Sequence, residues 1–289
     1  MSNLSEALKS GKFVVTAEIG PPKGVNIEEM LEDAELLRGR VDAINVTDQQ
    51  SSVMRLGSLA TCRLLKERGL EPVFQMTCRD RNRLALQSDM LSASVLGIEN
   101  VLSLTGDYVS LGDHPDAKPV FDLDSVSLLE TAVLLQQGRD LAGKELKGSP
   151  KFFLGAVVTP GANPLEPQII KMEKKVKVGA QFFQTQAVYD PVQFEKFMKE
   201  IGEIGVPVLV GIVLLKSAGM ARFMNRSVAG VHVPDSLIEE MDAAENKRQK
   251  SIEIAARLIS DMKDLCQGVH IMAIGWEKMV PAVLDAAGL

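Results

Sequence analysis

The chain has 289 residues, of which 46% are hydrophobic and 24% are charged, and its formal net charge is −6. This acidic balance, together with an aromatic content of 4%, argues against a nucleic-acid-binding protein. No apolar run reaches the length of a membrane span and no signal-peptide pattern opens the chain, so we expect no membrane span and a cytoplasmic location. The composition shows no break and no low-complexity linker, which predicts one domain over residues 1–289.

Cysteines and histidines are few and widely separated. The chain has three of each, namely Cys62, Cys78, Cys266, His114, His232 and His270. No two cysteines have the C-x-x-C spacing, so the sequence indicates neither a disulfide framework nor a zinc site. We therefore predict no metal centre.

Short apolar segments alternate with amphipathic segments along the chain. The apolar segments predict strands at residues 14–19, 43–46, 72–76, 101–104, 152–158, 182–185, 207–212 and 269–274. The amphipathic segments predict helices at residues 1–11, 27–37, 56–68, 83–96, 125–138, 166–177, 218–225, 234–265 and 277–287, with one more beginning at Pro191. The strands are continuous apolar runs, so both of their faces should be buried beneath helices.

Eight strand–helix units with a step of about thirty residues predict an α/β fold, the (β/α)8 or TIM barrel. The alternative is a doubly wound open sheet, but no G-x-G-x-x-G motif follows any predicted strand. We expect the first helix to cover the bottom of the barrel, and the whole chain to form a single catalytic barrel domain.

The first strand ends in a carboxylate, Glu18, and is stopped by Gly20, Pro21 and Pro22. A glutamate on an apolar strand is costly to bury unless it is paired or protonated. The carboxyl ends of parallel strands are also where barrel enzymes place their chemistry. The alternative is that the Glu18 side chain lies outside the core and is solvated.

Polar residues follow other predicted strands in the same position. They are Thr47, Asp48, Thr77, Thr105, Gly106, Asp107, Thr159, Thr185 and Gln186. These strand ends converge on one face of a barrel, so the polar groups would form a ring suited to a polar, flat ligand. Helix capping and turn formation explain each residue separately. They explain poorly why two carboxylates, Glu18 and Asp107, lie among them.

Six segments, taken in order, resemble a known family. They are AEIGPP at residues 17–22, NVTD at 45–48, QMTC at 75–78, LTGD at 104–107, KKVKVGAQFFQTQ at 174–186 and GI at 211–212. The chain resembles the methylenetetrahydrofolate reductases in their short, prokaryotic-type form. These are flavin-dependent enzymes of folate one-carbon metabolism and methionine biosynthesis. The resemblance implies a (β/α)8 barrel with non-covalent FAD, which reduces 5,10-methylenetetrahydrofolate to 5-methyltetrahydrofolate.

The resemblance also implies roles for single residues. The folate ring must open to an iminium before hydride arrives, and opening requires a proton on a weakly basic nitrogen. Glu18 matches the family's general acid, and Asp107 matches an aspartate whose charge would favour the cationic iminium. Gln186 matches the glutamine that binds the pterin. Phe223 matches a position that stacks nicotinamide dinucleotides, and its alternative is a core residue.

The positions that match family FAD contacts come from the ends of four strands, with the loops that follow them, and from one helix. They are Thr47, Gln75, Thr105, Gly106, Asp107, Phe121, Asp122, Asn163, Gln168 and Lys175. Gly106 would let the backbone approach the flavin closely. Lys175 would meet the pyrophosphate, and its alternative is a solvated helix lysine.

The chain departs from the family pattern at four positions. Gln75 stands where many relatives have histidine, Thr105 and Trp276 where relatives have arginine, and Gln168 where relatives often have aspartate. Arg79, Arg81 and Arg83 form a basic cluster after the third strand. Such a cluster is typical of a solvated helix start, and the alternative is contact with an anionic ligand.

The electron donor is left open between NAD(P)H and a partner protein. After Gly211 the chain offers Leu214, Leu215, Ala218 and Met220, which predict an apolar mouth with few hydrogen-bond donors for a dinucleotide. One alternative function is therefore a folate- and flavin-binding subunit of an electron-transfer complex. Another is an unrelated barrel enzyme, such as a methyltransferase that handles pterins. The oligomeric state, homo- or hetero-oligomer, is also open.

Overall fold

The computed structural model describes residues 2–289, and its centre is a closed barrel of eight parallel strands in chain order. The strands are β1 (Val14–Ile19), β2 (Ala43–Val46), β3 (Pro72–Thr77), β4 (Asn100–Leu104), β5 (Phe153–Val158), β6 (Phe182–Ala187), β7 (Val208–Val213) and β8 (Gly268–Met272). β1 pairs with β8, which closes the barrel. The predicted (β/α)8 barrel is confirmed.

Eleven α-helices are described in residues 2–289. They are α1 (Asn3–Lys9), α2 (Glu28–Leu36), α3 (Ser58–Glu67), α4 (Arg83–Val95), α5 (Ser125–Gln136), α6 (Glu166–Lys177), α7 (Pro191–Glu200), α8 (Ala218–Ser227), α9 (Asp235–Ala243), α10 (Lys247–Met262) and α11 (Val280–Ala287). Single 3₁₀ turns occur at Gln50–Ser52, Val109–Leu111, Gly202–Ile204 and Glu277–Met279. Within residues 2–289, none of these helices is long and apolar enough to span a membrane.

One predicted helix, at residues 234–265, was wrong, because the structure divides it into α9 and α10. Asn246 lies at the division with an extended backbone, and its side-chain oxygen accepts from the amide of Gln249 at 3.1 Å. An asparagine side chain that bonds to the backbone in this way starts a new helix rather than continuing the previous one.

The bottom of the barrel is closed by α1, as expected. Leu4 and Leu8 of α1 pack with an apolar layer that includes Val73 and Phe182, all of them buried. Gly155 makes room in this layer for the Phe182 ring, which stacks on Phe153 with ring centroids 4.9 Å apart. This apolar layer fills the barrel interior at the amino end of the strands.

Candidate active site

A polar cavity of about 390 Å³ opens at the carboxyl ends of the strands. Its lining includes eight of the predicted site residues, namely Glu18, Gln75, Thr105, Gly106, Asp107, Gln168, Lys175 and Gln186. These residues come from β1, β3, β6, the loop after β4 and helix α6. The barrel therefore brings together side chains that are far apart in sequence.

Glu18 lines this cavity and is buried, with 8% of its surface exposed. Its Oε1 accepts a hydrogen bond from Gln75 Nε2 at 2.8 Å. The Nε2 of His270 lies 3.4 Å from the same oxygen. The second carboxylate oxygen, Oε2, makes no hydrogen bond or ion pair within residues 2–289. One oxygen is thus held by the protein while the other is available to a ligand.

A buried polar network continues from His270 into the barrel interior. Thr16 Oγ1 lies 2.9 Å from His270 Nδ1, and Gln184 Nε2 donates to Thr16 Oγ1 at 3.2 Å. Gln184 and Asn45 exchange two hydrogen bonds between their side-chain amides, at 2.8 and 3.0 Å. Every member of the network is buried, so it fixes the orientation of the imidazole beside Glu18.

The sequence analysis does not identify His270 as a site residue, because the three histidines are widely separated in the chain. A signal was present in the strands themselves. Thr16, Asn45, Gln184 and His270 are polar residues inside strands whose two faces are both buried. A buried polar side chain requires a partner, so polar residues on several such strands predict a network inside the barrel.

The loop after β4 supplies the side of the cavity. Thr105 Oγ1 accepts from the amide of Ser125 at 3.2 Å, which ties the loop to the start of α5. Gly106 has a φ of +98°, and a Cβ there would lie 3.1 Å from Cβ atoms of both Arg79 and Thr77. Only glycine fits this backbone. The carboxylate of Asp107, which is exposed, has no side-chain partner within residues 2–289.

Lys175 brings a buried cation to the cavity wall. Its Nζ donates to the carbonyl of Val157 at 2.6 Å, and the residue is 5% exposed. Burial, aided by the nearby charge of Lys171, lowers the pKa of Lys175 to about 8. The alternative reading, a solvated helix lysine, does not fit this position. An ammonium that is buried with one hydrogen bond retains donors for an anionic ligand.

A second cavity, of about 690 Å³, lies beside the first, and Glu18 and Gln50 line both. Thr47 lines only this second cavity, and its buried Oγ1 has no hydrogen-bond partner within residues 2–289. Trp276 also lines it, with Lys216 Nζ 5.5 Å and Arg248 Cζ 5.9 Å from the indole ring centre. Glu18 and Gln50 therefore lie where the two cavities meet.

Four predicted site residues line neither cavity: Phe121, Asp122, Asn163 and Phe223. Asp122 pairs with Arg83 at 2.9 Å, and the hydrogen bonds from Arg83 lower the pKa of Asp122 to about 2. Phe121 has a φ of +40° and its ring lies 5.6 Å from that of Tyr108. Phe223 is 55% exposed on α8, so its alternative as a core residue is wrong, and its role in stacking stays a prediction.

The expected apolar mouth after β7 is also wrong. Leu214, Leu215 and Ala218 are all buried within the hydrophobic core, and Met220 packs partly buried against it. These side chains fill the space between β7 and its helices, where apolar burial is favourable. They do not form an exposed surface at the cavity.

The residues present fit a bound flavin. Gly106 allows close backbone approach, Lys175 has free donors for a phosphate, and the buried Thr47 hydroxyl lacks a partner. An unpartnered buried hydroxyl is costly, and a ligand atom would satisfy it. The geometry is that of a (β/α)8-barrel protein with a polar cavity on the carboxyl face, where such barrels place their active sites.

A family model described as methylenetetrahydrofolate reductase matches residues 3–288. The chain belongs to the methylenetetrahydrofolate reductase family, a family of oxidoreductases.

Curated relatives and solved structures are consistent with this placement. Methylenetetrahydrofolate reductase 2 of Schizosaccharomyces pombe is 25% identical over 74% of this chain and 35% of its own length. The 5,10-methylenetetrahydrofolate reductase of Pectobacterium carotovorum is 25% identical over 90% of this chain and 83% of its own. The chain thus spans about a third of the yeast relative and most of the bacterial one.

Among solved structures, an uncharacterized protein from Clostridium thermocellum aligns with a TM-score of 0.63 and 17% identity, over 99% of this chain and 98% of its own. That protein binds two copies of 5-methyl-5,6,7,8-tetrahydrofolic acid. At this identity the likeness is evidence for the fold alone.

Proposed function

We propose that this protein reduces 5,10-methylenetetrahydrofolate to 5-methyltetrahydrofolate with FAD as its cofactor. The observation that carries the proposal is the position of Glu18, a buried carboxylate whose Oε1 accepts a hydrogen bond from Gln75 and lies 3.4 Å from His270, while Oε2 is open. It lines a polar cavity in a chain of the reductase family. When bound, the reduced flavin supplies the hydride.

Glu18 acts as the general acid. Its free Oε2 gives a proton to the weakly basic folate nitrogen, so that the methylene bridge opens and an iminium forms. Gln75 keeps the carboxyl group in one orientation by its bond to Oε1. His270, oriented by Thr16, lies next to that oxygen and provides a route by which the proton is replaced.

Asp107 and Gln186 act on the opened substrate. The unpaired carboxylate of Asp107 places a negative charge at the cavity edge, where it favours a cationic iminium over the neutral closed ring. The side-chain amide of Gln186 has both a donor and an acceptor, which suits the pterin edge. Phe223 would reach a ligand only beyond the present cavity lining, since it lies on the exposed face of α8.

The cofactor would be held by side chains and backbone around the two cavities. Thr105, Gly106, Asp107, Gln168 and Lys175 line the polar cavity. The Thr47 hydroxyl, which lacks a partner, would form a hydrogen bond with the ligand in the second cavity. Phe121, Asp122 and Asn163 would contribute from the outer loops.

A two-step experiment tests this function. The purified protein is first mixed with FAD, and the flavin absorbance that remains after gel filtration is measured. The flavin is then reduced chemically without oxygen and mixed with 5,10-methylenetetrahydrofolate. We expect rapid reoxidation of the flavin with formation of 5-methyltetrahydrofolate. A protein that retains no FAD, or reduced flavin that the folate leaves unchanged, would contradict the proposal.

A second candidate function is a flavin- and folate-binding subunit that receives electrons from a partner protein. One observation favours it. Met54, Tyr108, Leu111 and Val120 are between 42% and 70% exposed on neighbouring loops after β2 and β4, beside the cavity. Exposed apolar side chains at a cavity rim are common in partner surfaces. Direct reaction with NADH distinguishes the two functions.

A further inference from the structure

Arg79 is the largest side chain that is almost fully buried in the described part of the chain, with 1% of its side-chain surface exposed. It follows β3 by two residues and lines the cavity. The solvated-cluster reading of the three arginines therefore holds only for Arg83, which is exposed. Arg81 instead pairs with Asp48 and, at 3.0 Å, with Asp89.

The guanidinium of Arg79 joins three loops of the cavity. Nε and Nη2 donate to the carboxylate of Asp80 at 2.9 and 2.7 Å, which fixes the plane of the group. Nη1 then donates to the carbonyl of Asp107 at 3.4 Å, and Nη2 donates to the carbonyl of Gln49 at 3.3 Å. A planar group with five donors can make these bonds together, whereas a lysine cannot.

The loops after β2 and β4, which Arg79 joins to its own loop, both have backbone conformations that are energetically unfavourable. Gln49, Ser51 and Ser52 have φ values of 49°, 56° and 60°, which non-glycine residues rarely adopt. Gly106 packs so closely on Arg79 that a Cβ there would lie 3.1 Å from the Arg79 Cβ. Such conformations persist only where surrounding contacts enforce them.

We propose that Arg79 is a positioning residue that ties the loop after β2 to the neighbouring loop carrying Asp107, so that both keep their places in the cavity lining. The inference rests on the proposed function, because the loops it positions are those assigned to the flavin and to the folate. Arg79 does not touch the reacting atoms. It acts through the backbone of Asp107 and thereby sets where that carboxylate lies.

Hydrogen exchange of the flavin-free protein tests the positioning directly. In Arg79→Lys, which keeps the charge but loses the planar set of donors, amides in residues 49–53 and 105–112 should exchange roughly tenfold faster, the scale of one lost charged hydrogen bond. The matched control is Arg38→Lys. Arg38 also pairs with a carboxylate, Glu35, and donates to a carbonyl, at 2.7 Å, but lies outside the cavity lining. It should leave both segments unchanged.

A double-mutant cycle tests whether Arg79 acts through Asp107. Arg79→Lys should slow folate reduction about tenfold in the natural protein and have little effect in the Asp107→Asn background, because coupled residues are not additive. A general loss of folding would instead slow both backgrounds equally. If Arg79→Lys folds poorly, Asp80→Asn provides the second variant. Asp80 is 33% exposed, so the change should be tolerated, and removing its charge weakens the ion pair that orients the Arg79 guanidinium.

The outcomes separate the two proposals. If the natural protein takes up no FAD, the proposed function fails, while hydrogen exchange still decides the role of Arg79. If FAD binds and folate is reduced, but exchange in both loops is unchanged in Arg79→Lys and Asp80→Asn, the positioning role is wrong. Equal slowing with and without Asp107→Asn would also overturn it.

Discussion

Glu18 is held through one carboxylate oxygen, which leaves the other for a substrate. We predict that Glu18→Gln retains FAD and still permits flavin reduction, but slows folate reduction by on the order of a hundredfold or more, the scale of general acid catalysis. Stopped-flow measurement of the two half-reactions checks this. Glu6→Gln, an exposed change on α1 at the far end of the barrel, is the control. Intact folate turnover in Glu18→Gln would remove Glu18 from the chemistry.

Asp107 places an unpaired carboxylate at the cavity edge. A nearby anion disfavours the anionic reduced flavin, so Asp107→Asn should make the flavin potential more positive by about 30 mV, a tenfold change for a two-electron couple. Folate reduction should weaken at the same time. Redox titration measures the shift, and Asp116→Asn, an exposed change farther along the same loop, should leave the potential unchanged. An unaltered potential in Asp107→Asn would place this carboxylate away from the flavin ring.

Lys175 gives a pH dependence whose direction follows from its environment. Burial lowers its pKa to about 8, so the free protein loses this cation as the pH rises past that value. FAD affinity should therefore fall with rising pH, by at most about tenfold per pH unit for one proton. Fluorescence titration of FAD from pH 6 to 10 measures this fall.

Two lysine variants decide whether that dependence belongs to Lys175. Lys175→Met should bind FAD weakly at every pH, and the dependence should disappear. Lys174→Met, which removes the neighbouring exposed lysine on α6, should keep the dependence of the natural protein. The same slope in Lys175→Met as in the natural protein would show that another group is responsible.

At the scale of the element, the apolar layer that α1 covers at the bottom of the barrel requires a glycine in β5. A Cβ at Gly155 of β5 would lie 2.2 Å from Cζ of Phe182, which is fully buried and stacked on Phe153. Gly155→Ala should therefore lower the free energy of unfolding by about 1–3 kcal/mol, as overpacking does. Chemical denaturation measures the loss. Gly202→Ala has open space at its Cβ and should stay within about 0.5 kcal/mol of the natural protein.

At the scale of the whole molecule, the surface around the cavity bears on how electrons would reach the proposed flavin. Exposed apolar side chains beside the cavity, which include Tyr108 and Leu111, lie on the loops after β2 and β4. We predict that NADH alone reduces the bound flavin slowly, because this rim suits a partner protein. Anaerobic mixing with NADH, followed by flavin absorbance, checks the prediction, with dithionite as the control for reducibility. Rapid, saturable bleaching by NADH would indicate an NAD(P)H-dependent reductase.

The sequence by itself determined the barrel. Continuous apolar runs with helical segments between them at a regular step leave few other ways to bury both faces of eight strands. It also placed Glu18 and Asp107 on one face, because the carboxyl ends of parallel strands must meet there. Family motifs added Gln75, Lys175 and Gln186, and the structure lines the same cavity with all three.

Only the tertiary structure decided which side chains touch. His270 is 252 residues from Glu18, and their contact arises from closure of β8 onto β1. The burial of Arg79 and of Leu214 likewise depends on loops and helices that pack from elsewhere in the chain. The spacing of apolar residues within a segment indicates whether that segment is a helix or a strand. The burial of a charged side chain and the partner of a histidine instead depend on neighbours that are distant in sequence.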